Sequence, residues 1–335
     1  MLNKYLIFSL LCCSLGLAKS PVPLWPTTSQ AFWEEKPYTA YIQPTAAGKP
    51  ESGLYGCVRS QGHKFHEGID IRAEQRTRKN EPKDKIILIL PGRVAYVNDT
   101  PGDSAYGRYI VVDHATSPRV YSLYAHLSEV DPSIRQGVTV DAGTVLGVMG
   151  RSANHSIPKY RAHLHFEVGL RLTDRFQAWY DQTVSGKPRF SSKNKHGVWN
   201  GMNLIGADPL SLYEQVLAGT YSGVQAWLQS EGTAFTIEVV SAQVPDFIRR
   251  YPELLASPIP PKGLRGWKIE FTRYGIPKRW HPLEVTEGIR AGMISLLAYD
   301  PEVLGAGPCP GMVQIKEGQY ILGKRLRRTL SLLFI

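Results

Sequence analysis

The segment Ala162-His163-Leu164-His165-Phe166-Glu167-Val168 alternates polar and apolar residues with a period of two. That is the pattern of a strand with one face buried, and it commits this part of the chain to a β-sheet. The alternation predicts His163, His165 and Glu167 on one face and Leu164, Phe166 and Val168 on the other. Two imidazoles on neighbouring positions of one face are close enough to share a metal ion or a substrate. The competing reading of the same residues is a polar surface strand.

A second informative stretch, Phe65-His66-Glu67-Gly68-Ile69-Asp70-Ile71, places His66 and Asp70 four residues apart. In an extended segment that even separation keeps both on one side, and Gly68 permits a bend or a close backbone approach. An imidazole with a carboxylate suits a zinc site, but alone the pair reads equally as a surface His–Asp contact. Between the two stretches run short strand-like segments separated by Gly and Pro turns: 85–90, 92–97, 108–114, 119–127 and 136–150. Close spacing of this kind predicts an antiparallel, all-β domain. In 119–127, alternation predicts Tyr124 and His126 on one face, opposite Leu123, Ala125 and Leu127. Residues 72–85 are dense in charge without apolar periodicity and read as an exposed loop.

The N-terminus begins with Lys4, runs through an apolar stretch to Leu17 and carries small residues at Gly16 and Ala18. It reads as a signal peptide over residues 1–18, since the apolar run is shorter than the roughly 20 residues of a membrane span. Export places the mature chain in a periplasmic or extracellular, wall-associated setting. Cys12 and Cys13 would leave with the signal, and Cys57 and Cys309 remain as one disulfide or two buried thiols. The formal net charge is +10. Outside the cytoplasm an anionic cell-wall polymer is a better partner for that surplus than nucleic acid, for which no Lys/Arg run with interleaved aromatics is seen apart from the short Arg325-Leu326-Arg327-Arg328.

Taken together, His66-x-x-x-Asp70, Tyr124-Ala125-His126-Leu127 and His163-Leu164-His165-Phe166-Glu167-Val168 resemble the LytM-type, lysostaphin-like M23 family of zinc metallopeptidases. The glycine-punctuated segment 136–150 is similar to the family's pattern as well. The resemblance covers about half the chain. It implies a mainly β, antiparallel fold of LytM type, a barrel or sandwich with long loops. By it, His66, Asp70 and His165 hold Zn²⁺, His126 and His163 are catalytic, and the substrate is the peptide of peptidoglycan. The chemistry is consistent: three protein ligands leave a fourth position for water, and two further imidazoles can hold and move protons near neutral pH. Glu167, on the histidine face, is placed to orient a ligand. His114 reads as structural, His155 as a solvated loop residue that could also line the groove, and His63 lies close enough to His66 to stand behind it. A non-catalytic LytM-like module that binds wall or activates another hydrolase is the alternative, although such modules typically lack ligands.

The remaining organisation is an extended arm over 19–52, a metallopeptidase domain over 53–215 with an insertion at 170–207, and a C-terminal α+β module over 220–335 of unknown role. Between Lys19 and Pro50 only Glu34 and Glu35 are candidates for a blocking fourth ligand. In the C-terminal module 235–240 and 267–271 read as strands, and 245–256 has helical spacing.

Overall fold

The structure is a computed structural model and describes residues 20–187, 193–305 and 311–335. The expected signal peptide, with Cys12 and Cys13, lies outside the described residues, as does Cys309. Cys57 is disulfide-bonded. The fold is mainly β, with 30% strand against 21% helix, and its sheets are open and antiparallel. This is the mainly β, antiparallel architecture that the family resemblance implies.

The strands before the central segment are β1 (Gly56–Arg59), β2 (Lys64–His66), β3 (Ile69–Arg72), β4 (Lys85–Ile87), β5 (Gly92–Asn98), β6 (Arg108–His114), β7 (Val120–Leu127), β8 (Glu129–Val130), β9 (Thr139–Val140) and β10 (Val145–Val148). The central strand is β11 (His163–Arg171), followed by β12 (Leu204–Ala207). The seven-stranded sheet has the order β12-β11-β7-β6-β5-β9, with β3 also on β11. One edge of β11 is held by β7. Its other edge is shared, β3 pairing with His163–Phe166 and β12 with Val168–Arg171. Strand β11 is thus paired along both of its edges.

Period-two alternation sorts the side chains of this sheet. Ile69, Ile71, Ile110, Val112, Tyr124, Leu164, Phe166 and Val168 face the main core. Tyr109, Val111, Tyr121, Leu123 and Ala125 form a smaller cluster on the other face. Each fully buried large side chain contributes about 1.5–3 kcal/mol by leaving water, so register errors on β11 would be costly. Gly68 lets β2 turn into β3: a Cβ there would lie 2.1 Å from the Phe166 carbonyl oxygen, closer than any side chain allows. His66 and Asp70 thus stand on two strands, not on one extended segment.

The N-terminal segment is anchored by aromatic packing. Trp25 stacks on Phe32 at 4.8 Å and meets Tyr41 and Tyr213 edge-on, and the Tyr213 hydroxyl donates to the Leu24 carbonyl at 2.7 Å. The expected insertion at 170–207 is narrower. Leu170 and Arg171 finish β11, and residues 204–207 return as β12 beside them. Between these strands lies α1 (Phe176–Thr183). Residues 188–192 lie outside the described set.

The later elements are α2 (Pro209–Leu217), α3 (Val224–Ser230), β13 (Phe235–Val239), α4 (Asp246–Arg250), β14 (Gly266–Phe271), β15 (Pro277–Leu283), β16 (Ile294–Tyr299), α5 (Pro301–Leu304), β17 (Val313–Lys316), β18 (Gln319–Leu322) and α6 (Lys324–Leu333). The helical spacing at 245–256 becomes α4 and a short 3₁₀ turn, separated at Tyr251 because Pro252 disfavours a helical residue before it. Strands β15-β14-β13-β16 form a four-stranded sheet. One continuous apolar cluster joins this part to the rest, from Trp25 through Phe166 to Trp280 and Leu333. Helix α6 turns back onto the first half of the chain: Trp179 donates to Ser331 at 2.8 Å, and the Arg325 guanidinium lies 3.4 Å over the Phe65 ring. No helix among the described residues is long and apolar enough to cross a membrane.

Candidate metal centre and catalytic cleft

Strand register brings the separated site residues to one place. Asp70 is opposite His165 across the β3–β11 pair, so both point from the same face. His66, from the end of β2, completes the group. His66 Nε2, Asp70 Oδ1 and His165 Nδ1 are separated by 3.0, 3.0 and 3.1 Å. The edge of a tetrahedron with zinc bonds of about 2.0–2.1 Å is about 3.3 Å, so two nitrogens and one oxygen are close to the spacing one ion requires. Among the described residues this is the group of three donors that could hold a metal, and all three are buried.

Hydrogen bonds aim the lone pairs. The Leu54 carbonyl oxygen can only accept, so His66 Nδ1, 2.7 Å away, carries the proton and leaves Nε2 as the donor atom. His165 is oriented in the opposite sense. Its Nε2 donates to Glu167 Oε1 at 2.8 Å, and Nδ1 faces Asp70 and His66. Glu167 is itself fully buried and accepts from the Tyr106 hydroxyl at 2.6 Å and the Tyr121 hydroxyl at 2.8 Å. Three donors converge on one carboxylate, which locks the ring that it orients.

The lone pairs are not idle. Arg59, on β1, places Nη2 2.8 Å from His66 Nε2 and also donates to Asp70 Oδ2. This guanidinium lies against the electron pairs a cation would use. Glu34 and Glu35 do not line the cleft among the described residues, so the neighbour reaching these ligands is an arginine and not an acidic residue of the arm.

His126 and His163 stand beside these three donors with ring centroids 4.7 Å apart. His163 Nδ1 donates to the Arg161 carbonyl at 2.6 Å and His126 Nδ1 to the Ser152 carbonyl at 2.8 Å, leaving both Nε2 atoms as proton acceptors. The route by which His126 arrives differs from the simple alternation. Tyr124 faces the main core, whereas His126 joins Ala125 on the opposite, site-facing side. The expected shared face of Tyr124 and His126 is thus wrong. The cause is a bulge: His126 adopts φ +62°, and the β6–β7 register shifts between Arg108–Leu127 and Ile110–Tyr124. The extra residue breaks the period-two rule and re-aims the side chain.

Burial sets the charges. Desolvation lowers the pKa of His66 and His163, and His126 is held well below the ordinary histidine value by burial and by neighbouring His163 and His165. Burial also opposes charge on His165, but hydrogen bonds to Asp70 and Glu167 outweigh it and raise its pKa to about 9. For Asp70, burial is overcome by His66 and Arg59, and the carboxyl stays well below the usual range. The arrangement thus offers one ionised carboxylate and neutral imidazoles at His126 and His163.

The cleft around these groups has a volume of about 520 Å³. Its walls include Tyr106, Arg161 and, from the C-terminal helix α6, Arg328, whose Nη2 donates to the Met202 carbonyl at 2.8 Å. Tyr106, Arg59 and Arg328 were missed by sequence reasoning. Tyr106 sits in an irregular turn, Arg59 in a short hairpin, and Arg328 comes from 163 positions beyond His165. No periodicity marks any of them. His114, read as structural, donates from Nδ1 to the Pro91 carbonyl and accepts at Nε2 from Ser122, and it is not among the residues that line the cleft.

Residues 64–175, about a third of the chain, match Peptidase family M23. No curated protein matches the chain. Among solved structures it is similar to the catalytic domain of the antimicrobial peptidase lysostaphin from Staphylococcus simulans, at 15% identity over 55% of this chain and 97% of that one, with TM-score 0.32. It is also similar to the catalytic domain of a mutant of the prophage-encoded M23 protein EnpA from Enterococcus faecalis, at 21% identity over 38% and 80%, TM-score 0.28. A zinc containing peptidase from Vibrio cholerae aligns at 21% identity over 45% of this chain and 36% of that one, TM-score 0.28, so this chain spans about a third of that protein's length. Between Lys64 and Arg175, this chain carries a domain of peptidase family M23.

Proposed function

We propose that the protein is an exported zinc metalloendopeptidase that hydrolyses peptide bonds in the stems or cross-links of peptidoglycan. The observation that carries this reading is the convergence of His66, Asp70 and His165 within 3.1 Å of one another, with His126 and His163 beside them. In it, His66 Nε2, Asp70 and His165 Nδ1 hold the ion. When bound, Zn²⁺ supplies Lewis acidity toward a peptide carbonyl and toward water.

The chain's own groups supply the rest. Neutral His126 and His163 each present an Nε2 lone pair to the cleft. One accepts the proton of the attacking water, and that proton passes to the leaving amine, so both imidazoles end the reaction as neutral as they began. They are assigned jointly. Glu167 holds the His165 ring, and Tyr106 and Tyr121 hold Glu167. Export to a periplasmic or extracellular wall, and attraction of the basic chain to an anionic wall polymer, complete the proposal. The alternative of a non-catalytic wall-binding or activating module is disfavoured by the full donor set.

The test is release of peptide fragments from isolated sacculi of several wall types by the purified chain, with and without chelator. Chelator-sensitive release is expected. Its absence on every wall type, from protein shown to be folded, removes the enzyme reading.

A further inference from the structure

Adjoining the cleft is a second recess of about 440 Å³, sharing Pro44, Thr45 and Arg161 with it. Arg72, Arg76 and Arg161 line it, together with Tyr160, which is 67% exposed, and no carboxylate does. Three guanidiniums at one opening repel one another unless an anion joins them. The nearby acid Glu81 is already engaged by Arg151 and Lys159. Arg76 spends Nη1 on the Asn80 and Lys159 carbonyls, but the buried Nε atoms of Arg72 and Arg161 have no hydrogen-bond partner within the protein.

The position of this recess follows from the sheet. Arg72 lies opposite His163, one step along β3 and β11 from the Asp70–His165 pair, and Arg161 precedes His163 by two residues. Two residues of strand span about 6.6–6.8 Å, so the Arg72 backbone lies about 7 Å along the sheet from the Asp70–His165 pair and its long side chain reaches farther, on the order of two to four residues of an extended peptide.

We propose that this recess is an anion subsite of the cleft and that it takes a free carboxylate carried by the peptide substrate, two to four residues from the scissile bond. The inference rests on the reading of the cleft as that of a wall-peptide hydrolase. A guanidinium fork matches both carboxylate and phosphate. The continuity of the recess with the cleft, at peptide spacing, is what favours a carboxylate on the substrate over the phosphate of a separate polymer.

The experiment is isothermal titration of the full chain, treated with chelator so that nothing is cleaved, with a short synthetic peptide bearing one free carboxylate and with its carboxamide twin. The acid is expected to bind about tenfold more tightly, less so at high salt, and Arg72→Gln and Arg161→Gln are each expected to remove most of that preference. Arg161→Lys should keep part of it. Melting curves confirm that the variants remain folded. Equal binding of the twins to the unmodified chain, or a preference that survives both glutamine variants, overturns the proposal. So does binding of a polyglycerol phosphate through Arg72 and Arg161 while the twins bind alike. An acid preference carried by these arginines supports the subsite even where no wall peptide is cut, whereas the hydrolase reading falls on the sacculus assay alone.

Discussion

His165 donates through Nε2 to Glu167 Oε1 at 2.8 Å, and this bond points its other nitrogen at Asp70 and His66. Replacing Glu167 with Gln substitutes an amide that cannot accept at both ends from Tyr106, Tyr121 and His165. A metal-orienting carboxylate of this type changes affinity roughly 10–100-fold when mutated. Glu167→Gln is expected to weaken zinc binding by that factor, read by competition with a chromophoric chelator; unchanged affinity would mean the ring is held by other contacts.

Asp70→Ala and His165→Ala remove a donor atom outright. Elemental analysis of the purified wild type is expected to give about one zinc per chain, and of either variant far less. Adding zinc to the stripped wild type should also raise its melting temperature, because an ion bound only by the folded state stabilises it. A stripped protein whose melting temperature ignores zinc would contradict the site.

Arg59 lies against His66 Nε2 and Asp70. An ion at this centre must displace that guanidinium, and the like charge nearby opposes its binding. Arg59→Ala is expected to tighten zinc binding several-fold in the same chelator competition. Weaker binding in the variant would instead make Arg59 a support for the ligands.

His126→Ala leaves all three donors in place but removes one proton-transfer group. Activity is expected to fall by roughly 10²–10⁴ with zinc content unchanged, a separation measured by kinetics and elemental analysis on the same preparation. Joint loss of both would show that His126 maintains the metal centre.

His114 supplies a pH dependence independent of the metal. Desolvation lowers its pKa to about 4, only partly countered by its bond to Pro91, against an unfolded value of about 6.5. The unfolded chain then binds the extra proton more readily, so this contribution to stability is intact above pH 6.5 and is lost as pH falls from 6.5 towards 4. The total is about 3 kcal/mol. Denaturant titrations across that window should show the slope, and His114→Gln should flatten it.

Much of this protein follows from local pattern. Period-two alternation in β11 by itself assigns His163, His165 and Glu167 to one face and Leu164, Phe166 and Val168 to the core, as the structure has them. Alternation is a property of any extended backbone, so a window of seven residues suffices to read it. It fails at His126, where a single residue at φ +62° reverses the facing, because a bulge depends on how β6 and β7 pair and not on the residues of β7 alone. Only the tertiary structure could set Arg59 against the ligands, place Tyr106 and Tyr121 on Glu167, or bring Arg328 from the last helix to the cleft wall. The Arg59 contacts cross a hairpin over 7 and 11 positions and the Glu167 contacts join residues 46 and 61 positions apart, and neither a hairpin's turn nor such chain closure leaves a periodic trace in sequence.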